Sequence, residues 1–291
     1  MPVTKRQGLQ QSLVRGVISL AAFVILWEIG ARSRQWLGLD AFEWLRGLLA
    51  WFGWEKKFLP WIGAVPAPSV VLTKWAQIIH DASYWQSWYM SFFRVAAGFT
   101  AAMIIGIPFG LLIAVSRTAY GISFPVFEVL RPIPPLAWVP ASIIFWPTQE
   151  LAIAFVTFLG AFYTIVINVV GGAKSIDMRY YQAAQSMGAT NWDIFRRIVL
   201  PGTLPSIMVG SAVGMGITWE VVVAAEMISG GGSQIGGTAG GGLGFFIWNS
   251  YVGGSYEQIV VGMISIGIAG FICSELLRAA GKYVTPWLRL R

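Results

Sequence analysis

The sequence predicts an all-α membrane protein with about six transmembrane helices, because it is poor in charge and rich in long apolar stretches. Of the 291 residues, 56% are hydrophobic and only 11% are charged, whereas soluble domains carry roughly 25% charged residues. Each apolar stretch approaches the roughly 20 residues that a helix needs to cross a bilayer. Backbone groups in lipid need hydrogen-bond partners inside the protein, which favours helices. The six predicted spans are residues 13–31, 90–116, 122–146, 149–172, 203–228 and 257–280.

The first span follows Lys5, Arg6 and Arg15, and in this respect it is similar to a signal peptide. No small-residue cleavage site follows it, and Glu28 and Arg32 come next. We therefore expect an uncleaved first span. It forms, with the segment up to residue 89, an N-terminal region that precedes a core at 90–285.

The segment 32–89 contains eight of the 15 tryptophans. Indole rings favour the headgroup level of a membrane. Apolar residues between Phe42 and Phe52 recur with a helical period. We expect one or two short helices lying on the outer leaflet, with a docking surface for a substrate-binding protein as the alternative.

The third span carries four prolines between residues 132 and 140, which predicts a broken or bent helix. Broken spans line cavities more often than they face lipid. Glu128 and Arg131 share a helical face there, either as a structural ion pair or as part of an anion pathway. The candidate pathway residues of this span are Glu128, Arg131, Pro135 and Trp138.

The fifth span carries Glu220 and Glu226, whose spacing of six places them on different helical faces. Both are added to the candidate pathway residues, and both are expected to face protein or water. A carboxylate would repel an anion, so helix-to-helix contacts or a gate are favoured over direct substrate binding.

The glycine-rich segment 230–244 does not match a phosphate-binding loop, because no lysine occurs between residues 175 and 281. We interpret it as a flexible outer loop, or alternatively as a gate at the outer mouth. A single histidine, His80, and a single cysteine, Cys273, provide neither a metal site nor a catalytic group. The basic residues do not cluster as nucleic-acid binding requires. We expect no catalysis, no bound cofactor or metal, and no nucleic-acid partner.

Basic residues predict the orientation of the chain. With a cytoplasmic N-terminus, the inner segments hold twelve lysines and arginines and the outer segments hold six. The positive-inside rule favours this arrangement. Both termini and residues 182–201 are therefore expected in the cytoplasm.

Residues 182–201 read QAAQSMGATNWDIFRRIVLP. This polar insert resembles the EAA loop of bacterial ABC-importer permeases, whose pattern is E-A-A-x3-G-x9-I-x-L-P. Gln182 replaces the usual glutamate. The matching positions are Ala183, Ala184, Gly188, Ile198, Leu200 and Pro201.

The likeness continues in residues 131–146, 158–168, 222–231 and 242–248, which look like the nitrate, sulfonate, bicarbonate and taurine branch of these permeases. The resemblance covers about residues 90–285 and implies a type I ABC-importer architecture. It implies a cytoplasmic coupling helix at 183–195, which docks on the ATPase. Small Ala183, Ala184, Gly188 and the neighbouring Ala189 would permit close approach, and Trp192 and Phe195 would be apolar anchors.

The resemblance also implies the partners. These are two ATPase subunits that bind ATP and Mg, a second permease copy in a homodimer, a periplasmic or lipid-anchored solute-binding protein, and the lipid of a bacterial inner membrane. The cargo implied is a small anion: nitrate, bicarbonate, taurine or another sulfonate. A permease for an organic solute such as a thiamine precursor, an ATP-independent anion channel and a membrane-embedded enzyme are the alternatives.

Overall fold

A computed structural model describes residues 5–36, 51, 65–228 and 241–287, and the regular elements of these residues are all helices. The fold class is confirmed as an all-α membrane protein. Five helices are long and apolar enough to cross a membrane within the described ranges. The elements are α1 (Lys5–Trp36), α2 (Pro68–Ile78), α3 (Ala82–Val115), α4 (Arg117–Leu130), a 3-10 turn (Pro135–Trp138), α5 (Val139–Phe145), α6 (Gln149–Lys174), α7 (Met178–Ser186), α8 (Asn191–Ile194), a π-helical turn (Phe195–Val199), α9 (Leu200–Ile228), α10 (Leu243–Val252) and α11 (Tyr256–Val284).

The predicted third span, 122–146, is divided into two helices. Helix α4 ends at Leu130, and α5 begins only at Val139. Pro132, Pro134 and Pro135 lie between them, where each removes a backbone donor and disfavours helical geometry in the residue before it. The prolines therefore predicted the break correctly, and the short apolar helix 135–145 takes the place of a continuous span.

The chain forms two compact units, one of residues 1–81 with 250–261 and the other of residues 82–249 with 262–291. In the first unit, Glu28 of α1 joins the start of α2. Its carboxylate accepts hydrogen bonds from the Ser69 backbone N–H at 3.0 Å and from the Ser69 hydroxyl at 2.8 Å. Arg32 donates to the same carboxylate at 2.5 Å. Because the first N–H groups of a helix lack helical partners, Glu28 satisfies one of them in α2. The helical pattern of 42–52 lies outside the described residues except for Trp51.

In the second unit, α3 and α9 pack on α6, and glycines let their backbones approach closely. A Cβ atom at Gly98 of α3 would lie 2.1 Å from the Thr157 hydroxyl oxygen of α6. A Cβ atom at Gly210 of α9 would lie 2.6 Å from the Asn168 Cβ of α6. Membrane helices commonly associate through such small residues. The three-helix contact fixes the positions of the polar groups described below.

Candidate functional site

The 182–201 loop consists of two short helices separated by a tight turn at Gly188. Gly188 has a φ of +79°, and the following Ala189 N–H donates to the Ala184 carbonyl at 3.0 Å. This is the geometry of a helix C-terminal glycine cap. Among the described residues, no atom beyond the two chain neighbours of Gly188 lies within 4 Å of a Cβ atom built there. Within this chain, the turn's positive φ accounts for the glycine.

The second short helix begins with a reciprocal cap. The Thr190 hydroxyl accepts from the Asp193 backbone N–H at 3.2 Å, and the Asp193 carboxylate accepts from the Thr190 backbone N–H at 3.2 Å. Such a capping box satisfies donors at the helix start that would otherwise lack partners. The turn is therefore rigidly defined by its own sequence.

One face of the loop packs against the apolar core of the second unit, to which the loop itself belongs. Ala184, Ile194 and Val199 are buried and belong to its main apolar cluster. Burial also raises the pKa of the nearby Tyr181 phenol, which keeps it protonated. Ala184, which the resemblance placed toward the ATPase, therefore packs against this chain's own core.

The opposite face is open and apolar. Met187 is 81% exposed and Trp192 is 66% exposed. The rings of Trp192 and Phe195 stack with their centroids 5.5 Å apart. Gln182 and Ala183 are exposed, and the remaining pattern residues, Ala189, Ile198, Leu200 and Pro201, are half-buried. The exposed Met187 and Trp192, with the half-buried Phe195 under the Trp192 ring, are termed the loop face below.

A pocket of about 220 Å³ lies in the second unit where the broken third span meets α6 and α9. Two of the four candidate pathway residues of that span, Arg131 and Pro135, line the pocket. The Arg131 Nη1 atom lies 3.5 Å from the Glu128 Oε1 atom, and both side chains are about two-fifths exposed. The full lining is Arg131, Pro135, Leu159, Gly160, Tyr163, Thr164, Ile167 and Ile217.

The other candidate pathway residues lie elsewhere. Trp138 packs edge-on against Phe155 with the ring centroids 6.5 Å apart, away from the pocket lining. Glu220 is exposed on α9, and no ion pair in the described part of the chain includes it. Glu226 is fully buried and belongs to a separate polar cluster.

The polar cluster is centred on Arg94 of α3, which is buried between two carboxylates. Its guanidinium donates to Glu150 at the start of α6 at 2.5 Å and to Glu226 near the end of α9 at 2.9 Å. Ser91 of α3 donates to Glu226 at 2.9 Å. The cluster therefore ties the start of α6 and the end of α9 to the N-terminal half of α3.

The last glycines of the glycine-rich segment approach the same carboxylate. Gly244 donates its backbone N–H to Glu226 at 2.9 Å, and the Leu243 N–H donates to the Ser91 hydroxyl at 2.8 Å. A Cβ atom at Gly242 would lie 2.1 Å from the Glu226 Oε1 atom. The N-terminus of α10 therefore binds an anion, as helix N-termini do, but the anion is this chain's own Glu226. Residues 229–240 lie outside the described residues, so the gate hypothesis for them stays a prediction.

The sequence analysis missed Arg94 and Glu150. The available signal was the charge of Arg94 within an apolar span, since such residues are costly in lipid and are paired in the protein interior. Its partners are 56 and 132 residues away in the chain, so no local pattern identifies them. The structure places Glu226 in helix-to-helix contacts.

Comparison with known proteins gives consistent matches. A family model for the inner membrane component of binding-protein-dependent transport systems matches residues 106–290. The nitrate import permease protein NrtB of Leptolyngbya laminosa is 36% identical over 193 residues, which cover 66% of this chain and 66% of that protein. The taurine transport system permease protein TauC of Escherichia coli (strain K12) is 32% identical over 228 residues, covering 77% of this chain and 80% of that protein.

Among solved structures, a bacterial ABC transporter involved in the import of the acidic polysaccharide alginate aligns with a TM-score of 0.56. The alignment covers 95% of this chain and 99% of that chain at 14% sequence identity. At this identity the likeness concerns the fold, which agrees with the helix order described above.

Proposed function

This chain belongs to the family of binding-protein-dependent transport system inner membrane components, the permease subunits of ABC importers, and from that membership we propose that it carries a small solute with an anionic group inward at the expense of ATP hydrolysed by a partner. The relatives named above carry nitrate and taurine by their names. Nitrate, taurine, other sulfonates and bicarbonate are the proposed cargo. An organic solute such as a thiamine precursor is the second candidate.

The observation that carries the proposal is the loop face, an apolar surface on a rigid, capped turn. Exposed large apolar side chains on a structured surface mark sites of protein contact. Aromatic residues such as Trp192 are typical anchors of protein interfaces. The proposed occupant is the ATPase subunit, which binds ATP and Mg and drives the permease through this contact.

The proposed assembly contains two copies of this chain, two ATPase subunits and a periplasmic or lipid-anchored solute-binding protein. It lies in the bacterial inner membrane with both termini of this chain in the cytoplasm, as the distribution of basic residues supports. The proposed path for the solute passes the pocket at Arg131, whose guanidinium supplies the only positive charge among the lining residues.

Transport by the complete complex tests the function. We expect proteoliposomes holding the permease, its ATPase and its binding protein to accumulate labelled taurine or nitrate only with hydrolysable ATP. Trp192→Ala is expected to lower uptake at least about tenfold and to weaken retention of the ATPase, because anchor residues typically contribute about 2 kcal/mol or more. Trp248→Ala, which truncates an exposed tryptophan outside the loop, is the matched control and is expected to retain uptake.

Uptake that proceeds equally without ATP would favour the channel alternative. Normal ATPase retention and uptake in Trp192→Ala would remove the loop face from the coupling contact.

A further inference from the structure

We infer that the pocket beside Arg131 is a contact site for a monovalent oxyanion, in which the hydroxyl groups of Tyr163 and Thr164 add two hydrogen-bond donors to the arginine. The inference rests on the proposed function, because it specifies which anions that path accepts. It adds two residues to the site that the sequence analysis did not select.

Arg131 retains most of its hydrogen-bonding capacity. Its one ion-pair partner among the described residues is Glu128, at 3.5 Å, whereas strong charged pairs are about 2.7–2.9 Å apart. A guanidinium carries five N–H donors in a planar fork that matches the oxygens of an oxyanion. An anion in the pocket therefore has donors available at Arg131.

Tyr163 and Thr164 both line the pocket, and the side chain of each carries a hydroxyl group. In the described part of the chain, neither hydroxyl takes part in a hydrogen bond to another protein group. The Tyr163 ring is held between Phe127 and Phe162, with centroid distances of 5.4 and 5.6 Å. The Thr164 carbonyl accepts a hydrogen bond from the Asn168 side chain at 2.8 Å, which ties this turn of α6 together. The Tyr163 ring therefore packs against two aromatic side chains, and the Thr164 backbone lies within a regular helix.

The remaining walls set the charge of the ligand. Leu159, Ile167 and Ile217 are apolar, so an ion that enters loses water without replacement on those sides. The Arg131 guanidinium is the positive group of the lining, and the Glu128 carboxylate 3.5 Å away offsets part of its charge, so a second negative charge on the ligand would be left without compensation. The pocket therefore suits nitrate or an alkyl sulfonate and disfavours a dianion such as sulfate. Its volume of about 220 Å³ is many times the roughly 10–15 Å³ that one water molecule needs by the same measure, which leaves room for a small organic group.

Thiol labelling tests the inference independently of transport. Cys273→Ser provides a cysteine-free background, and Thr164→Cys places a thiol in the pocket wall. The complex of permease and ATPase, without ATP, is treated with methanethiosulfonate reagents of similar size that carry either a sulfonate or a trimethylammonium group. We expect the ratio of the sulfonate reagent's rate to the cationic reagent's rate to be at least about tenfold higher at Thr164→Cys than at a control cysteine outside the pocket. The reason is that the Arg131 charge, several ångströms away, acts strongly in a partly dehydrated site.

The matched control is Gly121→Cys on α4, the helix that ends next to Arg131. A Cβ atom at Gly121 meets no neighbouring side chain within 4 Å in the part of the chain that the structure describes. Ten helical residues separate it from Arg131 by about 15 Å, beyond the screening length of about 8 Å in physiological salt. Arg131→Gln is expected to abolish the sulfonate preference at Thr164→Cys and to leave the rates at Gly121→Cys unchanged. If Thr164→Cys does not assemble, Ile217→Cys on the opposite wall gives the same measurement.

Competition identifies the ligand class. Nitrate and taurine are expected to slow labelling at position 164 severalfold, whereas sulfate at equal ionic strength does not, and Tyr163→Phe is expected to weaken the protection. Equal rates for the two reagents, an unchanged ratio in Arg131→Gln, or equal protection by sulfate would overturn the inference. ATP-driven uptake without any labelling preference would leave the proposed function standing and remove the pocket. A labelling preference without ATP-driven uptake would keep the pocket as an anion site and remove the proposed function.

Discussion

At the residue scale, the buried Arg94 explains how three membrane helices tolerate charged side chains where they pack together. The side chain is 3% exposed, and its partner Glu226 is fully buried. Removing charges from water is expensive unless each charge is paired and hydrogen-bonded. Here every component has partners, since Ser91 and the Gly244 N–H complete the shell of Glu226. The network therefore specifies where α3 meets the start of α6 and the end of α9.

The network predicts a strong dependence of stability on Arg94. Arg94→Met leaves the Glu226 carboxylate buried without a cation, which is expected to lower the free energy of unfolding by about 3–5 kcal/mol. The double variant Arg94→Met/Glu226→Leu is expected to recover part of that loss, because it removes the unpaired carboxylate as well. Thermal unfolding of the purified protein in detergent measures both effects.

Arg278→Met is the matched control for Arg94→Met, because Arg278 pairs with Glu275 on the surface. Exposed pairs contribute about 0–1 kcal/mol, so its melting temperature is expected to stay close to that of the wild type. A double variant less stable than Arg94→Met alone would show that the ion pairs are not the source of the effect.

The residues of the candidate site differ in how far the sequence predicted them. Gly188 and its loop were predictable, because a spaced pattern of small residues lies within twenty positions. Arg131 was predictable as a charge in an apolar span, but Tyr163 and Thr164 were not. Tyrosine and threonine in a membrane helix are ordinary, and only the three-dimensional position of α6 beside the broken span brings them to Arg131.

At the scale of elements, composition predicted where helices occur more reliably than how each of them ends. The predicted spans 149–172 and 257–280 correspond to Gln149–Lys174 and Tyr256–Val284. The predicted span 90–116 extends back to Ala82 in the structure. Polar residues such as Ser87 are absorbed into this helix by bonding to the carbonyl four residues earlier, which a count of apolar residues does not detect.

Packing of these helices predicts a second stability effect, at Gly98. Gly98→Ala places a methyl group where the Thr157 side chain and the Phe158 backbone nitrogen lie, the latter at 2.9 Å. Because backbone cannot rotate away, α3 and α6 must separate, at an expected cost of about 1–3 kcal/mol. Thermal unfolding is expected to show a lower melting temperature.

Gly171→Ala is the matched control for Gly98→Ala, since a Cβ atom at Gly171 meets no group of another element within 4 Å among the residues described. Alanine is preferred over glycine in a helix by roughly 0.5–1 kcal/mol, so this variant is expected to be as stable as the wild type or more stable. An unchanged melting temperature in Gly98→Ala would show that α3 and α6 do not depend on this close contact.

At the scale of the whole molecule, hydrophobicity explains the architecture, and the polar exceptions explain the function. The side chains of residues 14–26 in α1 are exposed along the helix, as expected for a surface that faces lipid rather than water. Among the described residues, polar and charged groups meet at the contact of Glu28 with Ser69, at the cluster around Arg94, at the pocket around Arg131 and in the loop at 182–201. In the proposed function, the cluster around Arg94 contributes stability, the pocket contributes passage and the loop contributes coupling.

The orientation of the molecule gives the last prediction, because coupling to a cytoplasmic ATPase requires the loop face inside the cell. In the Cys273→Ser background, Met187→Cys presents a highly exposed thiol on this face. In intact cells we expect a membrane-permeant maleimide to label it and an impermeant one to leave it unlabelled. Co-expression of the ATPase is expected to reduce labelling by the permeant reagent severalfold, because docking covers the thiol.

Tyr256→Cys supplies the opposite control for that labelling. Tyr256 is exposed at the start of α11, at the end that the positive-inside rule assigns to the exterior, and is expected to react with the impermeant reagent whether or not the ATPase is present. Labelling of Met187→Cys by the impermeant reagent would reverse the orientation and end the coupling proposal. If only the permeant reagent labels Met187→Cys but the ATPase does not reduce that labelling, the predicted orientation stands. The ATPase contact would then lie on another cytoplasmic surface, such as that around Tyr180.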